Sequence, residues 1–130
     1  MSRHWYALAL VACTGVVSCG GGYIARGRHL YYEGRYIESA EVLARHERDL
    51  VHEDASHRAE YATFMGLSLL VLGDYPGAHR WMGYAYSIEE SVPGSLKPAH
   101  RMALDRGWRE LGVRFPPPPP PGPGPVGWRQ

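Results

Sequence analysis

Residues 61–85 read YATFMGLSLLVLGDYPGAHRWMGYA and carry the clearest structural signal in the chain. The first half of this stretch is apolar almost without interruption up to Gly73, and its second half places apolar side chains three and four residues apart. That spacing is typical of α-helices and not of strands. Asp74 can cap the second helix, and Pro76 falls in its first turn, where the missing N–H costs nothing. The stretch therefore predicts two helices joined by a tight turn.

An earlier part of the chain has the same layout. The motif G-x6-G-R-Y-x2-S at residues 27–39 lines up with G-x6-G-D-Y-x2-A at residues 66–78, an offset of 39 residues. A repeat of this length is typical of helical hairpins. We expect the small residues to allow close helix approach, the second glycines to end helices and the tyrosines to fill space beside the turns. These repeat-structural residues are Gly27, Gly34, Tyr36, Gly66, Gly73, Tyr75 and Ala78.

The same periodicity extends to the rest of residues 23–112 and predicts five helices. Gly34 separates the first two, and either Asp54 or Ser56 can cap the third. The fifth is expected to begin at Pro98 and to end at Gly112. Its inward-facing residues are predicted to be Met102, Leu104, Trp108 and Leu111. The fold class is therefore predicted to be all-α.

The glycine-aspartate-tyrosine turn and the small residues around it resemble the tetratricopeptide family, most closely over residues 61–85. The resemblance implies a short stack of two helical hairpins with a C-terminal capping helix, and first helices that line a concave face. The first repeat departs from the pattern, with Ser39 for alanine and His46 where the second has Ala85. The linker between the repeats is also longer than usual. A generic five-helix bundle is the alternative.

The N-terminus has the layout of an export signal. A basic start is followed by an uncharged apolar run from Tyr6 to Val17, which is too short to span a membrane. The run ends in Val16-Val17-Ser18-Cys19, which resembles the lipobox of bacterial lipoproteins and implies lipidation of Cys19. Cys13 also fits the pattern, but cleavage there leaves a very short apolar core. An ordinary secretory signal or an uncleaved anchor is the other alternative.

These features divide the chain into four parts. We expect a signal peptide over residues 1–18, a lipidated cysteine with a glycine tether over 19–22, a helical domain over 23–112 and a disordered Pro/Gly-rich tail over 113–130. Gly20, and not aspartate, follows the cysteine. By resemblance to lipoproteins, this implies anchoring in the bacterial cell envelope at the periplasmic face of the outer membrane.

Composition and motifs argue against several classes of function. The chain carries 14 basic and 13 acidic side chains, a balance that argues against nucleic-acid binding. No nucleophile motif, phosphate loop or pair of catalytic carboxylates is visible, so we expect no catalytic residue and no cofactor. His46, His52 and His57 are spaced six and five residues apart, which does not place metal ligands on one helical face. We therefore expect no metal site.

A surface for a protein partner is the remaining functional candidate. The third helix is apolar on nearly all sides, and we expect Leu67, Leu70 and Val71 to remain partly open as a groove. Tyr31 and Tyr32 join them, because tyrosine offers contact area and a hydrogen bond at little entropic cost. Ordinary core packing is the alternative for all five residues.

The tail contains six consecutive prolines, residues 116–121, and is expected to form an extended polyproline II spacer. Together these observations predict a membrane-anchored, non-catalytic adaptor that binds a protein of an envelope assembly and has no small-molecule substrate. Two alternatives are an envelope enzyme or its accessory subunit, acting for example on peptidoglycan, and a structural spacer whose working part is the tail. Convergence of the histidines with Glu47 and Asp54 in one pocket would favour the enzyme.

Overall fold

The computed structural model describes residues 22–117 and is all-helical over that range. The helices are α1 (Gly22–Tyr32), α2 (Tyr36–Arg45), a 3₁₀ helix (Glu47–His52), α3 (Ala55–Leu72), α4 (Tyr75–Ser91) and α5 (Pro98–Arg114). This confirms the predicted all-α fold. The predicted signal segment, Cys13, Cys19 and the tail beyond Pro117 lie outside the described residues.

Consecutive helices pair, and α3 lies at the centre. The closest pairs are α1 with α2 and α3 with α4, while α3 also contacts α1, α2 and α5. Every residue from Tyr61 to Ser68 is buried, which explains why this helix is apolar on all sides. The arrangement is two helical hairpins with α5 packed against the second.

The two hairpins have turns with the same hydrogen bonds. Gly34 and Gly73 have φ angles of 78° and 82°, the left-handed conformation that glycine adopts without strain. After each glycine a backbone N–H reaches back to the helix: Arg35 N donates to Leu30 O and Asp74 N to Leu69 O, both at 2.9 Å. The two donors are 39 residues apart in the sequence, and so are the two acceptors. The sequence repeat therefore corresponds to a structural repeat.

The mid-helix glycines also have equivalent contacts. A Cβ placed on Gly27 would lie 2.6 Å from the Leu43 side chain, and one placed on Gly66 would lie 2.6 Å from Met82 Cγ. Leu43 and Met82 are themselves 39 residues apart. Each glycine therefore lets the two helices of its hairpin come close together.

Ser39, the departure from alanine in the first repeat, forms a buried hydrogen-bond chain. Its hydroxyl donates to Gly27 O at 2.7 Å and accepts from Ser68 Oγ at 3.1 Å. These bonds link α1, α2 and α3 inside the core, where an unpaired hydroxyl would be costly. The serine thus replaces a packing contact with a polar one that both hairpins share.

The long inter-repeat linker contains the 3₁₀ helix, which the sequence analysis did not predict. Helix α2 ends at Arg45, whereas α4 continues to Ser91. At the point of divergence the His46 ring stacks on Tyr23, with centroids 4.4 Å apart. Leu50 is buried from within the 3₁₀ helix. A short 3₁₀ helix of six residues therefore covers the core where α2 ends.

Helix ends agree with the predicted caps except at the C-terminus. Asp54 accepts the N–H of His57 at 2.8 Å, and Asp74 accepts that of Gly77 at 3.0 Å. Gly112, however, does not end α5, which continues to Arg114. Unlike Gly34 and Gly73, Gly112 does not adopt the left-handed conformation that ends a helix. Met102, expected to face inward, is 65% exposed. At the other end of the domain, Gly22 belongs to α1 and not to the tether.

Candidate partner-binding groove

All five residues that the sequence suggested for partner binding line one groove. The groove has a volume of about 300 Å³ and lies over α3, between the end of α1 and the second half of α5. Its lining residues are Tyr31, Tyr32, Tyr36, Leu67, Leu70, Val71, Ala103, Arg106, Gly107 and Glu110. The structure therefore brings together residues up to 79 positions apart in the sequence, from Tyr31 to Glu110.

The floor of the groove is α3, but it is less open than expected. Leu67 and Leu70 are only 3% and 5% exposed, so their predicted openness is wrong. The α5 backbone covers Leu67 because Gly107 lies against α3: a Cβ there would be 2.3 Å from Leu67 Cδ2. Val71, one turn further along, is 51% exposed and is the apolar floor residue that a partner can reach.

Tyrosine rings form one wall. Tyr31 packs edge to face against Tyr32 and Tyr36, with centroids 5.5 and 5.3 Å apart, and both Tyr31 and Tyr32 pack edge to face on Phe64. Tyr32 nevertheless remains 59% exposed. Burial raises the pKa of Tyr31, so its hydroxyl is protonated at neutral pH and can donate a hydrogen bond. The wall thus offers both an apolar surface and hydroxyl groups.

The opposite wall is charged. Arg106 and Glu110 lie one turn apart on α5 and line the groove, and Glu110 accepts a hydrogen bond from Arg114 at 3.0 Å. The groove therefore pairs an apolar floor with a cation and an anion along one edge. This combination suits an amphipathic protein segment better than a purely apolar ligand.

Sequence reasoning missed the α5 side of the groove, which consists of Ala103, Arg106, Gly107 and Glu110. The available signal was the pair of small residues Ala103 and Gly107, four positions apart on a predicted helix. Such spacing allows close helix packing, as at Gly27 and Gly66. Tyr36 was assigned to the turn alone, although its ring also lines the groove.

A polar cluster lies on the same three helices, nearer to their N-terminal ends than the groove. Arg28 of α1 forms an ion pair with Glu60 of α3, and the His100 ring packs edge to face on Phe64, 5.2 Å away. His100 is 8% exposed, and burial holds its pKa below the ordinary value of histidine. Arg28, Glu60 and His100 each precede, in their own helix, the residues that line the groove. The three helices therefore run in the same direction.

The histidines of the inter-repeat segment do not converge in a pocket. His46 pairs with Asp49 at 2.8 Å, while His57 pairs with Asp54 at 3.0 Å at the start of α3, and in all four side chains 43% or more is exposed. Among residues 22–117 there is no group of three or more histidine, cysteine, aspartate or glutamate side chains that could hold a metal ion. These pairs are surface contacts that support helix ends.

Between Gly22 and Pro117 no helix is long and apolar enough to cross a membrane. The predicted lipidation site, Cys19, lies outside the described residues, and its role remains a prediction from sequence. Comparison with protein-family models, with curated proteins and with solved structures finds no match for this chain.

Proposed function

We propose that the protein is a non-catalytic adaptor lipoprotein of the bacterial cell envelope, which binds a protein partner in the groove between α1, α3 and α5. The observation that carries the proposal is the meeting of Tyr31, Tyr32 and Val71 with Arg106 and Glu110 in that groove. Exposed tyrosine and arginine beside an open apolar residue are the composition found at the centres of protein interfaces.

The size of the groove restricts the partner. A volume of about 300 Å³ holds one or two side chains and not a whole helix. The fitting partner is therefore an amphipathic segment that inserts one bulky apolar side chain above Val71. Its flanking residues would carry an acid to meet Arg106 and a base to meet Glu110, an arrangement that fixes the direction of binding.

The membrane anchor in this proposal rests on the Val16-Val17-Ser18-Cys19 pattern. A cysteine that carries several acyl chains is held on a membrane essentially permanently. Resemblance to lipoproteins then implies attachment at the periplasmic face of the outer membrane. The tetratricopeptide-like assignment enters the proposal in the same way, as a resemblance supported by the repeated turns and glycine contacts of the two hairpins.

The groove assignment is tested by making the same valine-to-glutamate substitution at two positions, one inside the groove and one outside it. Val71→Glu places a charge on the groove floor, and Val113→Glu places the same charge at a site on α5 that is 84% exposed and does not line the groove. We expect the tagged full chain, solubilised from native membranes, to retain one stoichiometric partner as wild type and as Val113→Glu. Val71→Glu should reduce recovery at least tenfold.

Equal recovery with Val71→Glu and with Val113→Glu would contradict the groove assignment. The anchor has a separate test, because Cys19→Ala should release the protein from the membrane fraction, and mass spectrometry should find an acylated Cys19 at the mature N-terminus. An unmodified N-terminus, on a protein that is not found in the membrane fraction, would contradict the proposed lipid anchor. It would not affect the groove assignment.

The envelope-enzyme alternative gains no support from the described residues. His57 and Asp54 do meet, but at an exposed helix start and not in a cavity, and Asp54 already accepts the N–H of His57 there. That contact holds the pKa of Asp54 below its usual range, as expected for a helix cap. The pair therefore has a structural explanation.

A further inference from the structure

A second cavity lies on the other side of α5 and takes no part in the groove. Its volume is about 450 Å³, and it is lined by His79, Trp108, Leu111, Gly112, Phe115 and Pro117. The groove uses different residues of α5, namely Ala103, Arg106, Gly107 and Glu110. The two sites are therefore distinct faces of one helix.

Aromatic rings build the walls of this cavity. Trp108 stacks on His79 with centroids 5.1 Å apart and is held from behind by the edge of Tyr86 at 5.3 Å. Phe115 forms the other side and remains 43% exposed, while Leu111, only 2% exposed, forms the floor. A cavity lined by aromatic rings and by the aliphatic side chain of Leu111 favours a flat aromatic side chain.

The chain itself supplies such a side chain. Pro117 lies on the rim, so the remaining thirteen residues of the chain, 118–130, start at the cavity. Trp128 is the one aromatic residue among them. We propose that the cavity is a binding site for an indole ring and that its occupant is Trp128 of the same chain.

The length of the segment permits this return. If Pro118–Pro121 is extended as polyproline II, it leads the chain about 12 Å away at about 3.1 Å per residue. The seven residues from Gly122 to Trp128 can span up to about 23 Å at about 3.3 Å each, which is enough to come back. Three of these seven are glycines, the residue type that best allows a reversal of direction.

Covalent attachment favours this occupant over a second copy of the protein. A segment tethered at the rim has an effective concentration in the millimolar range, far above that of a separate chain. Burying a tryptophan ring removes apolar surface from water, and most of the cavity lining is apolar as well. Arg129, next to Trp128, is the one charged side chain among residues 118–130, and its long side chain can keep the guanidinium in water while the indole ring docks.

The test uses the mature protein, anchored through Cys19 in lipid nanodiscs, with 5-fluorotryptophan at its three tryptophan positions, Trp81, Trp108 and Trp128. Loss of one fluorine signal in Trp128→Phe assigns the Trp128 resonance. We expect that resonance to be displaced from its position in a synthetic peptide of residues 122–130. We also expect a soluble gadolinium chelate to relax it at least threefold less than in the peptide.

Gly112→Leu should abolish this protection. A Cβ at Gly112 meets nothing within 4 Å, so the larger side chain can fill the cavity without a clash near the backbone. The control is Met102→Leu, at a site on α5 that lines neither cavity and is 65% exposed. Its Trp128 signal should match that of wild type.

Three results would overturn the proposal. The first is a Trp128 signal that matches the synthetic peptide in wild type. The second is protection that survives in Gly112→Leu, because the ring would then lie elsewhere. The third is protection that disappears on dilution, since this would assign the occupant to another copy of the chain.

Discussion

At the scale of single residues, glycine and serine determine how closely the helices approach. Gly66 illustrates this, because a Cβ there would lie 2.6 Å from Met82 Cγ and 3.0 Å from the Met82 backbone N. The side chain of Met82 can rotate away, but its backbone can move only with α4. Gly112 is the opposite case, with nothing within 4 Å.

We therefore expect Gly66→Ala to lower the free energy of unfolding by about 1–2 kcal/mol, since overpacking outweighs the gain in helix propensity. Gly112→Ala, on the same reasoning, should raise it by up to about 1 kcal/mol. Chemical denaturation of both variants measures the difference. Similar effects at the two sites would mean that helix propensity alone governs these glycines.

His100 gives a residue-scale prediction on pH. Burial against Phe64 lowers its pKa, and the groups that face it are Glu60 from α3, Arg28 from α1 and Lys97 before α5. Below about pH 6.5, His100 is therefore protonated more readily in the unfolded chain than in the folded one. The free energy of unfolding should be highest above about pH 6.5 and should decrease as the pH falls below it.

Thermal melts between pH 7.5 and pH 5 should therefore show a decline in melting temperature for wild type that is shallower in His100→Gln. His52→Gln is the control, because His52 is exposed in the 3₁₀ helix. If the wild-type decline persists unchanged in His100→Gln, another group is responsible.

At the scale of elements, the connection between α4 and α5 is held by one carboxylate. Glu89 accepts the N–H groups of Gly94 at 3.0 Å and Leu96 at 2.8 Å, and these bonds hold its pKa below the usual range. Leu96 is buried as a result of this folded-back path. The loop therefore positions the start of α5 and, through α5, one wall of each cavity.

Glu89→Gln should cost about 1 kcal/mol of stability, because two charge-assisted hydrogen bonds become neutral ones or are lost. A group with a lowered pKa contributes above its ordinary pKa, so this contribution should disappear as the pH falls below about 4. Unfolding at pH 7 and pH 3.5 tests both statements. Glu90→Gln, at the neighbouring exposed position, should have little effect at either pH.

Sequence periodicity was sufficient to predict the elements because each α-helix carries its own signal. Gly34, Gly73, Asp54 and Asp74 act locally, through a left-handed turn or a cap within three or four residues. The 3₁₀ helix was missed because its burial of Leu50 depends on where α2 ends in three dimensions. The unusual length of the linker between the repeats did not by itself indicate a 3₁₀ helix.

The groove was only half predictable for the same reason. Tyr31, Tyr32 and Val71 could be proposed from apolar and aromatic content, but α5 adds its wall through a long-range approach at Gly107. Nothing in the local pattern around Gly107 shows that Leu67 lies on the other side of the contact. Leu67 and Leu70 were expected to be open but are buried, and this same approach covers Leu67.

At the scale of the whole molecule, the start of α1 and the groove lie at opposite ends of that helix. Cys19 precedes α1 by only three residues, so an acylated Cys19 would hold the start of α1 close to the membrane. Helices α1, α3 and α5 run in the same direction, and the groove lies near the ends of α1 and α3. The groove therefore faces away from the membrane in the proposed arrangement, where a partner in the periplasm can reach it.

The central claim is that a partner occupies this groove in the intact envelope. Photocrosslinking tests it most directly, with a benzoylphenylalanine at residue 71 and, as a matched control, at residue 113 in otherwise wild-type protein. We expect irradiated cells to yield one discrete adduct from residue 71, absent from residue 113 and strongly reduced when Tyr32→Ala removes the groove wall. Equal crosslinking yields from the two positions would contradict binding in the groove. An adduct from residue 71 whose yield is unchanged by Tyr32→Ala would contradict it as well.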